Sequence, residues 1–262
     1  MSTGTLLVVE NDPTDDARRL GDWLTAAGLT LHVVRAHAGD PLPGDRDGYG
    51  GLAVLGGDQR AYPAEDGAPG APWFPALEAL LRKATRANLP VLGVCLGGQL
   101  LAQAHGGLVE PAASGPEIGP QLVAKRDAAE RDPLFGPLPM LPDVIQWHHD
   151  EVTELPLNAT LLAASTGYPV QAFRVGEAAW AVQFHIECDT AMLAGWTAGN
   201  VGLLASLGRT AEDVVAQADA LMDDLFEVWH PFATRFAAVA RGELKPAVTD
   251  PVPGRRLPLL GA

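Results

Sequence analysis

Two short segments combine residue types at spacings that suit nucleophilic catalysis. Gly93-Val94-Cys95-Leu96-Gly97-Gly98-Gln99 lies between an apolar strand, Pro90 to Val94, and a helical segment from about Leu96 to Ala104. It has the form G-x-C-x-G, the cysteine counterpart of the G-x-S-x-G nucleophile elbow. At such a sharp strand-to-helix turn the backbone of the nucleophile is strained and side chains two residues away would clash, which accounts for the glycines. The helix N-terminus offers unpaired N–H groups and a positive dipole end, which lower a thiol pKa and stabilise a developing oxyanion. Read alone, Cys95 could equally be a small buried cysteine closing a core strand. The second segment, Ala181-Val182-Gln183-Phe184-His185-Ile186-Glu187, begins as a strand. Its two-residue period puts His185 and Glu187 on one side if the extended geometry continues to the end. A histidine with a carboxylate two residues on is the base and orienter that a cysteine nucleophile needs. The two segments together favour catalysis over a satisfied histidine at a strand end.

The elements that must position these residues follow from apolar spacing. Leu6 to Glu10 is a strand ended by Asn11-Asp12-Pro13, and Ala17, Leu20, Trp23, Leu24 and Ala27 recur at helical spacing until Gly28. Thr30 to Arg35 and Leu52 to Leu55 read as strands, 58–75 as a Pro/Gly loop, and 76–87 as a helix before the strand at 90–94. Strand and helix alternating in this way suggest a parallel sheet covered on both faces. Short strand candidates follow at 121–125, 143–147, 160–164, 169–174 and 178–184, and sequential short strands favour antiparallel pairing at one side of the sheet. Beyond Cys188 the spacing predicts helices over 190–207 and 211–229, the latter N-capped by Thr210 and carrying an apolar stripe, and a further helix starting at Pro231. The tail from Glu243, with four prolines, reads as irregular.

Composition bounds what this framework can do. The 262 residues suffice for a sizeable core, and 47% hydrophobic and 19% charged residues describe a compact soluble globule. A net charge of −14 disfavours nucleic-acid backbones and anionic membranes. No apolar run approaches a membrane span and the N-terminus has no basic region ahead of its apolar stretch, so a cytoplasmic location is expected. There, Cys95 and Cys188 are expected unpaired. The acids Asp12, Asp15 and Asp16 after the first strand are reminiscent of a phosphorylation receiver. That reading needs an aspartate closing the third strand, which instead ends in Leu55-Gly56-Gly57. These acids are better expected in the first turn of a helix, where the macrodipole favours negative charge. A zinc site from Cys188, His148, His149 and His185 is conceivable by residue type, but no ligand spacing supports it.

The segments 90–102 and 182–187, with Leu55-Gly56-Gly57, Gly106-Gly107 and the stretch from Trp147 to Pro156, resemble the class I (triad-type) glutamine amidotransferases over roughly residues 5–205. The likeness is closest to the GMP-synthase-like stand-alone branch, and His149-Asp150-Glu151-Val152 through Leu155-Pro156 also resembles its γ-glutamyl peptidase members. The resemblance implies a flavodoxin-like α/β fold with a mostly parallel central sheet flanked by helices, an antiparallel extension, and Cys95 at the carboxyl ends of the strands. The implied organisation is a catalytic domain over 1–207, a helical extension over 208–242 and a Pro-rich tail over 243–262. It implies a catalytic Cys95, His185 and Glu187, an oxyanion hole from the N–H groups of Gly57 and Leu96, and substrate contacts from Gly56, Gln99, His149 and Asp150. The reaction would convert glutamine to glutamate and ammonia through a γ-glutamyl thioester, with no metal or organic cofactor. The family usually has proline between the histidine and the glutamate, whereas this chain has Ile186. No P-loop or ATP-pyrophosphatase-like segment is present, so transferred ammonia would need a partner synthase, for which the stripe over 211–239 is a candidate docking face. The stripe would also permit a homodimer. The alternatives are a free-standing γ-glutamyl hydrolase or peptidase with the same triad, and a catalytically silent regulatory protein on the same fold.

Overall fold

The computed structural model describes residues 4–46 and 48–247. The first half of the chain forms β1 (Thr5–Glu10), α1 (Arg18–Ala26), β2 (Thr30–Arg35), β3 (Gly51–Val54), α2 (Phe74–Arg86), β4 (Val91–Val94), α3 (Leu96–Ala104), β5 (Leu108–Pro111), β6 (Glu117–Leu122) and β7 (Ala124–Lys125). The second half adds β8 (Asp143–His148), β9 (Asp150–Glu154), β10 (Ala159–Ala164), β11 (Ala172–Val175), β12 (Ala179–Val182), α4 (Thr190–Gly199), α5 (Val201–Ser206), α6 (Ala211–Asp219) and α7 (Met222–Ala240).

Eight strands make the main sheet in the order β2-β1-β3-β4-β12-β11-β10-β7. The first five are mutually parallel and the last three continue antiparallel, in the flavodoxin-like arrangement expected from the sequence. Because the pleat alternates, each central strand feeds two apolar layers. Leu6, Val8, Ala53, Leu92, Val94, Trp180 and Val182 share one layer with Leu20 and Leu24 of α1 and with Trp229, Phe232 and Phe236 of α7. Leu7, Val9, Leu52, Val54, Val91, Ala179 and Ala181 share the other with Phe74, Leu77 and Leu81 of α2 and Leu100 and Leu101 of α3. Two antiparallel ribbons, β5–β9 and β6–β8, stand apart from the main sheet. They approach the site through the β8–β9 turn.

Several sequence expectations are corrected. The acids at 12, 15 and 16 precede α1 instead of opening it, and its first turn holds no acidic residue. Strand β12 stops at Val182, where its neighbour β4 also ends, so His185 is not on a continuous strand. The chain turns there toward β8, and the His185 N–H donates to Ile145 O at 2.8 Å. The helix over 190–207 divides at Asn200, whose side-chain amide bonds back to Trp196 O at 2.9 Å and so competes with the helical ladder. The helix from 211 ends at Asp219, and Pro231 lies inside α7 instead of starting a helix. Burial of Trp229, Phe232 and Phe236 around the proline outweighs its missing backbone bond. Thr210 caps α6 as expected, accepting from the Asp213 N–H at 3.1 Å. Strands β5 and β9 have no counterpart in the apolar spacing, since Val109 and Val152 are their only buried hydrophobic residues. Most of the Pro-rich tail, 248–262, lies outside the described residues.

Candidate active site

Cys95 sits between β4 and α3 with φ +49° and ψ −111°, a conformation that non-glycine residues rarely adopt and that marks a strained turn. The turn is possible because a Cβ on Gly97 would lie 2.0 Å from the carbonyl oxygen of Val54, so the first turn of α3 presses directly on β3. Cys95 is 7% exposed at the carboxyl end of the sheet. Gln183 Nε2 donates toward Cys95 Sγ at 3.6 Å, and Trp147 O lies 4.0 Å from the sulfur.

His185 and Glu187 are buried, and His185 Nδ1 pairs with Glu187 Oε1 at 2.6 Å. The carboxylate fixes which nitrogen carries the proton on that side. His185 Nε2 and Glu187 Oε2 have no hydrogen-bond partner. Burial opposes charge on the imidazole, but Glu187 and Cys95 outweigh it, and the pKa lies well above the ordinary histidine value. Trp196 of α4 packs against the imidazole with ring centroids 4.7 Å apart at 62°. The adjacent Cys188 is also buried, and burial together with Glu187 and Asp189 pushes its thiol upward, the opposite of activation. Both cysteines are free.

A pocket of about 100 Å³ opens beside Cys95, lined among others by Gly57, Gln99, His149, Asp150 and Asn200. The sequence-predicted residues therefore converge from the β3 loop, the α3 helix and the β8–β9 turn. Gln99 is buried, and its amide donates to Asp150 O at 3.2 Å and Gln183 Oε1 at 3.1 Å, tying helix, turn and nucleophile loop together. His149 is exposed at the rim. Burial raises the pKa of Asp150, while Tyr62, which donates to it at 3.4 Å, and His149 work against the rise. Gly57 lies beside Leu96 and Gln59. Gly56 is set deeper, between Asp15 and His185. The sequence reading did not anticipate Asp15, Gln183, Trp196 or Asn200. Gln183 lies two residues ahead of His185, but a polar residue at a strand end carries no distinctive signal.

The chain belongs to the class-I glutamine amidotransferase family, whose pattern matches residues 25–191. It is similar to gamma-glutamyl peptidase 4 of Arabidopsis thaliana, 33% identical over 155 residues that cover 58% of this chain and 59% of that protein. It is also similar to the glutamine-hydrolysing GMP synthase of Christiangramia forsetii, 34% identical over 147 residues covering 56% of this chain and 26% of the other. The chain thus matches less than two thirds of the length of either relative. A crystallised glutamine amidotransferase from Methylobacillus flagellatus has the same fold, with a TM-score of 0.78 and 25% identity over 94% of this chain and 97% of that one. Among the described residues, no helix is long and apolar enough to cross a membrane.

Proposed function

We propose that the protein is a glutaminase that hydrolyses the side-chain amide of glutamine through Cys95, His185 and Glu187. The observation that carries this reading is the buried His185–Glu187 pair at 2.6 Å, with its second imidazole nitrogen unpartnered, next to a cysteine on a strained elbow. His185 takes the thiol proton, and Cys95 Sγ attacks the γ-carbonyl carbon. The N–H groups of Leu96 and Gly57 receive the oxyanion. Collapse breaks the C–N bond, and His185 returns its proton to the departing nitrogen as ammonia leaves. Water, deprotonated by His185, then attacks the γ-glutamyl thioester, the C–S bond breaks to release glutamate, and the imidazolium returns the proton to the Cys95 thiolate. In this reading Gly56, His149 and Asp150 hold the amino-acid end of the substrate, and Gln99 shapes the pocket through its bonds to Asp150 and Gln183. Residues 1–207 act as the catalytic domain with 208–242 as its helical extension, and ammonia passes to a partner synthase.

A second reading, a self-sufficient γ-glutamyl hydrolase or peptidase, is favoured by one observation. The stripe considered for docking is spent inside the molecule: Trp229 meets Phe184, Phe232 meets Phe135 and Phe236 meets Trp180, and only Phe226 among its aromatic residues is exposed. The similarity to a plant γ-glutamyl peptidase points the same way. Steady-state glutamate release from glutamine and from γ-glutamyl amides and dipeptides separates the readings. We expect Cys95→Ala to lower release by about 10⁵-fold. Fast release from one γ-glutamyl dipeptide with slow release from glutamine would replace the first reading with the second. Release that survives Cys95→Ala would overturn both.

A further inference from the structure

One buried acid beside the candidate site has no part in the reaction just described. Asp15, in the loop between β1 and α1, is 7% exposed. Its Oδ1 accepts from Trp196 Nε1 at 3.0 Å and from Thr14 Oγ1 at 3.3 Å. The same Trp196 packs against the His185 ring. Its Oδ2 reaches the spot where a side chain at position 56 would begin: a Cβ on Gly56 would lie 2.6 Å from that oxygen and 3.1 Å from His185 Cε1. The missing side chain at Gly56 therefore leaves the carboxylate and the imidazole flanking one small gap. The charged or ionisable groups acting on Asp15 are His185, Glu187 and Cys188 from the segment after β12, Asp12 from its own loop, and Asp58 from the loop after β3. Of these only His185 can become positive. A buried carboxylate with no Lys or Arg among these groups is costly, and the imidazolium is the cation placed to offset it.

We propose that Asp15 is a positioning residue whose carboxylate favours the protonated form of His185, the form that must deliver a proton to the departing nitrogen. The inference rests on the Cys95–His185–Glu187 reading. Asp15 exchanges no proton in the cycle: the proton travels from Cys95 to His185 and on to the leaving group, and the nearby negative charge keeps it on the imidazole between those steps. Burial pushes the Asp15 carboxyl up to about 6, so the charge is present at neutral pH and fades in mild acid. The amide of Asn at this position would still accept from Trp196, so Asp15→Asn removes the charge while keeping the anchor.

The test follows His185 by nitrogen-15 NMR titration and the pH profile of kcat/KM for glutamate release, in the full chain. In Asp15→Asn the His185 titration and the alkaline limb of the profile should both move down by about one pH unit, the lower end of what an opposite charge within about 4–6 Å produces. Asp15→Glu, which keeps the charge, should leave both near the wild-type position. An unmoved titration and limb in Asp15→Asn would overturn the proposal and leave Asp15 as an anchor for Trp196 alone. Should Asp15→Asn fail to fold, Trp196→Phe, which releases the carboxylate from its anchor, should shift the titration in the same direction by less, and no shift would again overturn it. Turnover that survives Cys95→Ala would instead sink the triad reading on which the proposal depends.

Discussion

Two buried acid–base pairs hang from the antiparallel side of the main sheet and its exit, and they differ in how completely they are satisfied. Asp132 accepts from the N–H groups of Leu134 and Phe135 at 2.9 and 3.1 Å, from Arg174 Nε at 2.8 Å and from Trp180 Nε1 at 3.1 Å. It ties the loop before β8 to β11 and β12 with both carboxylate oxygens engaged. Glu187 has one oxygen on His185 and the other on nothing, and the far nitrogen of His185 is equally without a partner. Unsatisfied buried polar atoms are scarce because each costs about 1–3 kcal/mol. Every polar atom of the Asp132 carboxylate is paired, whereas the His185–Glu187 pair keeps two atoms open beside Cys95, the arrangement that the proposed reaction would use.

The contrast can be broken at several points. The largest effect is expected at Glu187→Gln, which keeps the shape but removes the charge that orients and supports the imidazole. Turnover should fall by about 10⁴-fold while the melting temperature stays level or rises, measured by glutamate release and calorimetry. The reverse pattern is expected for Asp132→Ala, which strands the Arg174 guanidinium in the interior. Stability measured by denaturant unfolding should drop by about 3–5 kcal/mol, with activity per folded molecule preserved. If Asp132→Ala instead loses activity without losing stability, the division between the two clusters fails.

A smaller effect sharpens the comparison through pH. The Asp15 carboxyl titrates near 6 in the folded chain against an ordinary 3.8, so the native state holds more protons than the unfolded state between those values. Its contribution to stability is therefore fully present below the ordinary value and is lost as pH rises through about 6. Asp15→Asn should be more stable than the wild type at neutral pH by up to about 3 kcal/mol, and the advantage should vanish toward pH 4. An advantage that did not depend on pH would show that ionisation of this carboxyl is not its source.

Much of the parallel sheet was legible because its strands are short continuous apolar runs separated by amphipathic helices, a pattern set by burial on both faces. Helix α3 starts at Leu96 and ends at Ala104 as its spacing indicated, since the elbow and Gly106-Gly107 punctuate it on both sides. The nearness of His185 and Glu187 was readable from their offset, even though the strand thought to carry both stops at Val182. What escaped was set by tertiary partners. Asp15 looks like a helix-opening acid until Trp196, 181 residues away in the chain, claims one of its oxygens. Strand β9 has no apolar signal of its own because its pairing with β5, not its side chains, makes it extended. Pro231 reads as a helix start because a single sequence does not reveal that aromatic residues on both sides of it are held in one core.

The placement of α7 also sets a timetable. The thiol of Cys95 leaves the ribosome about 90 residues ahead of His185, and Phe184, the neighbour of that histidine, is covered by Trp229 only when nearly the whole of the described chain has been made. If the proposed triad is right, Cys95 exists during synthesis for several seconds as a thiol whose base has not yet been made, and the segment carrying that base is covered only once α7, the last helix among the described residues, has emerged.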